Sequence, residues 1–279
     1  SVSNGSCTAI DVTIPTVYNH LPVTSLADWA FAERSDLRSV NIPDRIKTIG
    51  NGAFIRCCRL TSMVIPDEVT SIGFAAFSCC SSLTNITIGS RVSSIGEGAF
   101  DSCRKLVGII NNSKLNITKG SEDNGGIAKY ALYVQKGGII DMEEEDGFLF
   151  CHKEGLPYLI GYAGTSSQLT LPSQHNGDEY EIYEYAFEYR TDLTSITLPD
   201  WLTSIPSCAF GNCTNLTSLT ISNNINYIQA GAFQSCTSLK NIYYAGSKSA
   251  WSAISKGGGW SFNVPDDCVV HCTDGDTSL

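Results

Sequence analysis

Twelve cysteines and four histidines are the residues of this chain with the most chemistry to offer, and their spacing decides what they can do. Cys57, Cys80 and Cys103 recur at intervals of 23 residues, and so do Cys213 and Cys236. A periodic cysteine is a stacked packing position before it is a bond, since neighbouring turns of a coil lie about 4.8 Å apart. Five stacked thiols also cannot pair off completely. The column is therefore expected to be free thiol, a small hydrophobe with a weak donor. Cys208 stands where Gly52, Ala75, Gly98 and Gly231 stand in other periods, so it reads as a small buried filler. The disulfide state of Cys7, Cys58, Cys79, Cys151, Cys268 and Cys272 is left open.

A zinc site is the one metal reading worth testing. The pairs Cys57-Cys58 and Cys79-Cys80 lie 22 residues apart, close in space if the periods stack. Side chains adjacent on a backbone point different ways, however, and the C-x2-C spacing of structural zinc is missing. His20, His152, His175 and His271 are far apart in sequence and form no H-x-x-x-H pair. The Asp274-Gly275-Asp276 run is too short for a calcium loop. No P-loop, dinucleotide fingerprint or nucleophile elbow occurs. Carboxylate pairs such as Asp178 and Glu179 are not predicted to sit in a cleft that would retune them. The sequence thus predicts no metal, no cofactor and no enzyme.

These residues are positioned by a repeat. An Ala-Phe pair ends at Phe31, Phe54, Phe77 and Phe100, and again at Phe187, Phe210 and Phe233, with 23 residues between neighbours in each group. A fixed period of this length marks a solenoid whose units bury their apolar faces only against one another. Leu193, Ile196 and Leu198 have the spacing of a short strand turning alternate side chains inward, as do Leu60, Met63 and Ile65. Pro stops the strand in several repeats, as at Pro43, Pro66 and Pro199. A second apolar pair follows, Val69 and Ile72 or Leu202 and Ile205. The outward ladder positions are then Asn41, Val64, Thr87, Thr170, Thr197, Thr220 and Tyr243.

The period fails between Phe100 and Phe187. Residues 1–110 read as a first repeat block, 111–167 as a non-repeat excursion, 168–245 as a second block and 246–279 as a C-terminal cap and tail, all in one continuous solenoid. Within the excursion, Ile127 to Ala131 suggests a helical turn and Leu132 to Val134 a strand. Phe148 to Cys151 and Pro157 to Tyr162 read as a β-hairpin, and Glu143 to Asp146 as a solvated acidic turn. Extra residues around Tyr18 to Pro22, and again after Pro172, make long loops in the repeats that open each block. Those two repeats carry Arg34 and Arg190 in place of the column cysteine. At the end, Ser247 to Ser255 suits a Ser-capped helix, Trp251 and Trp260 cover the last rung, and Thr273 to Leu279 reads as a disordered tail.

Net charge is -10, so the average field repels nucleic acid. No apolar stretch approaches the roughly 20 residues that span a bilayer, and Ser1 begins without a signal-like leader. Only 16% of residues are charged while Ser, Thr and Asn abound, which suits an extracellular protein.

The repeat LTSITLPDWLTSIPSCAFGNC, with its I-P, V-T-S-I-G and A-F-x-x-C elements, resembles the BspA-like class of leucine-rich repeats. The segments DGFLF, YLIGYAG and LTLP, and the terminal IYYAGSKSAW and VVHCTDG, are similar to stretches that accompany such arrays in bacteria. The resemblance implies a right-handed, curved leucine-rich-repeat solenoid with a parallel sheet of short strands. It further implies a cell-surface or secreted protein of adhesion, binding host or microbial macromolecules without catalytic residues. The expected partner is a protein first and a glycan second, with no nucleic acid, no membrane insertion and a monomeric chain; a ligand-free structural spacer is the alternative. The candidate contact residues are Tyr158, Tyr162, Tyr183, Tyr185 and Tyr189 with Glu143, Glu144 and Glu145, and the ladder face at Thr197, Thr220 and Tyr243. A threonine-row ice binder is disfavoured by Val64, Ile110 and Tyr243, which interrupt the rows.

Overall fold

The computed structural model describes residues 9–279, so Cys7 lies outside it. The chain forms two compact units, Ser1–Ile140 and Asp141–Leu279, each built of parallel β-solenoid turns. In the first, the strands Ser62–Val64, Asn85–Ile88, Gly108–Asn111 and Tyr133–Gln135 pair in parallel, Met63 opposite Ile86 and Ile86 opposite Ile109. Asp11–Thr13 pairs likewise with Ser39–Asn41. A second ladder of two-residue strands, Ser25–Leu26, Thr48–Ile49, Ser71–Ile72 and Ser94–Ile95, runs in the same register. The early insertion is a small exposed hairpin, Val17–Tyr18 against Leu21–Pro22.

Between the ladders the repeat phenylalanines stack. Phe31, Phe54, Phe77 and Phe100 have ring centroids 5.1–5.3 Å apart, and Phe187, Phe210 and Phe233 stand 5.3 Å apart. All seven are buried. Rings held at one strand spacing give each repeat its largest apolar contact.

Each turn bends at two left-handed corners, two residues before and two after the Phe. The first corner holds Trp29, Gly52, Ala75, Gly98, Tyr185, Cys208 and Gly231; the second holds Glu33, Arg56, Cys79, Ser102, Tyr189, Asn212 and Ser235. Every one has φ between 50° and 65°. Glycine recurs at the first corner because it enters this left-handed region without steric cost. Cys208 therefore corrects the sequence reading: it is a half-exposed corner residue with φ 52°, not a buried filler.

The cysteine column is free thiol in an unexpected role. Cys57, Cys80, Cys103, Cys213 and Cys236 each donate from Sγ to the carbonyl oxygen of the Phe one turn back, at 3.0–3.1 Å.

The second unit opens with an antiparallel sheet of Met142–Glu145, Phe148–Lys153 and Leu156–Tyr162, to which Glu181–Ile182 adds in parallel. The glutamates thus occupy a strand where an acidic turn is predicted, because they pair with Phe148 to Phe150. The long ladder follows: Gln168–Thr170, Ser195–Thr197, Ser218–Ile221, Asn241–Tyr244 and Val269–Cys272. Gly275–Ser278 folds back antiparallel on its last strand, so the segment read as a disordered tail is an ordered edge. The helix Lys248–Ala253 is capped by Ser247, whose Oγ accepts from Ala250 N. Buried Trp251 and the edge-on ring of Trp260, 6.3 Å from Phe233, close the aromatic stack. In the excursion, a distorted turn at Asp123–Gly126 with left-handed Asn124 and Gly125 precedes the predicted helical turn, which forms no helix of its own.

Candidate functional site

Where the repeat fails, the second unit gathers its polar chemistry. Side chains alternate along a strand, so Glu143 and Glu145 share one face and Glu144 takes the other. Both face-sharing carboxylates meet His175. Its Nδ1 lies 2.6 Å from Glu145 Oε2 and its Nε2 lies 3.1 Å from Glu143 Oε2. Asn176 Nδ2 donates to the same Glu143 oxygen at 2.9 Å.

His175 is delivered by a two-residue turn. Asn176 and Gly177 both have positive φ, 51° and 88°, and His175 and Asp178 exchange backbone hydrogen bonds across them. That is the Asn-Gly turn whose twist suits antiparallel neighbours. The imidazole is 1% exposed and stacks on Phe150, centroid to centroid 3.8 Å at 10°. His152, two residues beyond Phe150, brings its ring to 5.2 Å from His175. Two of the four histidines are thus neighbours although they stand 23 positions apart in sequence. An H-x-x-x-H spacing does not describe two histidines brought together across strands, and the Asn-Gly pair is the sequence signal of the turn that does so.

The aromatic packing continues outward. Tyr180 sets its edge on Phe150 at 5.2 Å and donates from its hydroxyl to Pro172 O at 2.7 Å. Burial pushes this phenol above its ordinary range. Trp201 stands edge-on to Tyr180 at 5.0 Å and donates from Nε1 to Ser173 O. Beside this pair opens a groove of about 560 Å³ walled by Leu156, Pro157, Glu179, Glu181, Trp201 and Gln229 among others.

The groove lies at a break in the short-strand ladder. Glu181–Ile182 and Ser204–Ile205 hold the same place in successive repeats, yet the first pairs with the hairpin and the second with Tyr227–Ile228. Among the described residues, the two strands do not pair with each other. Each presents an open edge to the groove that they line.

The family model described as BspA type leucine rich repeat region matches residues 6–121 and 167–255, in six copies. The chain belongs to the BspA-type leucine-rich repeat family. Its hairpin falls between the two matched stretches. No curated protein matches the chain. Among solved structures, this BspA-type chain is similar to a leucine rich repeat protein of T. pallidum, at 22% identity over 82% of this chain and 78% of that one, TM-score 0.35. It is similar also to a leucine rich cell surface protein of Faecalibacterium prausnitzii A2-165, at 22% identity over 88% and 90%, TM-score 0.32. A third is the pneumococcal vaccine antigen PcpA, at 17% identity over 96% and 78%, TM-score 0.39.

The remaining candidate residues take separate places on this BspA-type scaffold. Tyr189 is 56% exposed at the second left-handed corner, and Tyr185 is half-buried at the first. Tyr183 is buried, 7% exposed, which corrects its reading as a surface contact. In other repeats this place is Gly50, Gly73 or Gly96, where a Cβ would come within 2.6 Å of the preceding turn's backbone. At Tyr183 the preceding segment is the hairpin, whose Leu159 carbonyl takes the Tyr183 N–H, and the side chain is enclosed. Tyr162 packs on Phe148 beneath the Arg190 guanidinium, and Tyr158 is half-buried. Glu144 is exposed. Thr197, Thr220 and Tyr243 align across the long ladder with Thr170 before them and His271 after, and the last two rings of the row stack at 4.9 Å.

Proposed function

We propose that this is a surface-displayed BspA-type repeat protein that binds a partner protein, taking an extended segment of it into the groove between Glu181–Ile182 and Ser204–Ile205. The observation that carries this reading is the pair of open strand edges facing one groove. An extended polypeptide satisfies such edges with its own backbone, and side-chain pockets then set specificity. Trp201 and Leu156 offer apolar contact. Glu179 and Glu181 on the rim, within a chain of net charge -10, select a segment bearing Lys or Arg. Surface display is supported by family membership, by the low share of charged residues and by the abundance of Ser, Thr and Asn. No helix of the described residues is long and apolar enough to cross a membrane.

The test is a screen of the purified chain against immobilised matrix proteins and a glycan array, repeated with the Glu179→Lys, Glu181→Lys double variant. Saturable protein binding that weakens at least tenfold in the variant supports the groove. Binding to glycans alone, or no saturable binding, as a spacer would give, overturns it.

A further inference from the structure

His175 meets a carboxylate at each ring nitrogen, an arrangement that a ring carrying two N–H groups satisfies by donating twice and a neutral ring satisfies at one nitrogen alone. A neutral imidazole has one N–H and one lone pair. With Nδ1–H donating to Glu145, the lone pair of Nε2 faces the Glu143 carboxylate at 3.1 Å, acceptor against acceptor. For the neutral ring, a cation between them removes that conflict. Independently, His152 Nδ1 is buried with no hydrogen-bond partner among the described residues; the nearest carboxylate oxygen, on Asp141, stands 3.9 Å away. One donor atom each from Glu143, His152 and His175 lie within 4.8 Å of one another.

We propose that Glu143, His152 and His175 form a divalent-metal site, with zinc as the fitting ion. Two imidazoles and one carboxylate are a set that zinc accepts in tetrahedral geometry with a fourth place left for water or a further carboxylate. Bond lengths near 2.0–2.2 Å set tetrahedral ligands about 3.4 Å apart, so binding draws the three donors together. Glu145 plays the outer part: a metal-bound histidine commonly gives its other N–H to a carboxylate, which fixes the tautomer and the ring. Stacking on Phe150 holds that ring in plane. The ion joins the strand Met142–Glu145, the strand Phe148–Lys153 and the turn at His175, three segments separate in sequence. It therefore clamps the hairpin to the turn that leads towards Tyr180.

Titration of the full chain with ZnCl2, and with CoCl2 for its visible spectrum, tests the site. One ion per chain is expected, with a cobalt spectrum of nitrogen and oxygen ligation and no thiolate charge-transfer band. Glu143→Gln and His152→Ala each weaken binding at least tenfold, while Glu144→Gln, on the opposite face of the strand, leaves it unchanged. The wild type gains thermal stability with zinc, and the two ligand variants do not. Absence of saturable binding, a thiolate cobalt spectrum, or binding that Glu143→Gln and His152→Ala leave intact overturns the proposal. The cobalt spectrum of the wild type decides the ligand type even where a variant fails to fold.

Discussion

Arg190 Nη1 donates to the carbonyl oxygen of Tyr162 at 2.6 Å, in the place where Cys213, one turn later, donates from sulfur to the carbonyl of Phe187 at 3.1 Å. The same holds at the other array start, where Arg34 Nη2 donates to Ala9 O at 2.7 Å and Cys57 to Phe31 O at 3.1 Å. The column is therefore defined by a job, donation to the carbonyl one turn back, and not by a residue type. Inside the array the carbonyl is close and a short thiol reaches it. At each start no Ala-Phe unit precedes, since Ala9 comes before the first one and Tyr162 belongs to the hairpin, and the longer guanidinium makes the span. Nε and Nη2 of each guanidinium also donate to a carboxylate two residues on, Asp36 for Arg34 and Asp192 for Arg190, which fixes the fork.

Burial sets the chemistry of the thiols in this column. It pushes Cys57 and Cys236 up from about 9 to about 12. A thiol whose folded value is raised stabilises the fold fully below its unfolded value and loses that contribution as pH rises towards the folded one, because the unfolded chain releases its proton first. Urea midpoints are expected to stay flat below about pH 8.5 and to fall between about 9 and 12. Alkylation at pH 8 should label the half-exposed Cys58 and Cys79 while sparing the column, as peptide mapping would show. Rapid native labelling of Cys57 or Cys236 would contradict this.

Replacing Arg190 with Ala removes the donor to Tyr162, the fork to Asp192 and the cation over the Tyr162 ring. The side chain is only 15% exposed, so its hydrogen bonds are shielded from water. A loss of about 1.5–3 kcal/mol is expected, the range for hydrogen bonds to charged groups. Arg190→Lys keeps the charge but cannot span carbonyl and carboxylate together, so it should recover less than half. Chemical denaturation of the three proteins measures the difference.

The parts of this fold that were legible in the sequence are those written in one repeat. The Phe column, the main strand ladder, the hairpin and the Trp cap follow from local spacing, because every turn meets a copy of itself and one period suffices to place the core. The site was not legible for the opposite reason. Glu143 and Glu145 reach His175 from 32 and 30 residues away, through a register fixed by the hairpin's pairing and not by any period. The glutamates and tyrosines were singled out by composition, yet composition does not tell a face from a core. Glu143 and Glu145 point at His175 while Glu144 does not, and Tyr183 lies under the hairpin while Tyr189 stands in solvent.

Gly52 shows what the left-handed corners demand. With φ 55°, a Cβ added there would come 2.3 Å from Cε3 of Trp29, the residue at the same corner one turn earlier. Gly52→Ala should cost about 1–3 kcal/mol through overpacking, in addition to about 1–2 kcal/mol for a side chain in the left-handed region. In a Trp29→Ala background the clash vanishes and only the conformational part remains. A double-mutant cycle should thus return a coupling of about 1 kcal/mol or more; additive costs would show that the Trp29 ring simply swings away.

Tyr183 and Tyr189 separate folding from recognition. They lie six residues apart and are 7% and 56% exposed. Truncating the buried ring should cost about 3–5 kcal/mol, as for other large aromatic side chains, so any binding defect of Tyr183→Ala would report lost structure. Tyr189 occupies a corner with φ 60° and projects into solvent. Tyr189→Ala should shift stability by no more than about 0.5 kcal/mol, and Tyr189→Gly should raise it by up to about 1 kcal/mol, since glycine enters this conformation freely. Binding measured on Tyr189→Ala, with an unchanged denaturation midpoint as its control, then asks one question: whether a partner held in the groove also reaches this corner. A Tyr189→Ala protein as destabilised as Tyr183→Ala would show that the corner ring is a packing residue after all.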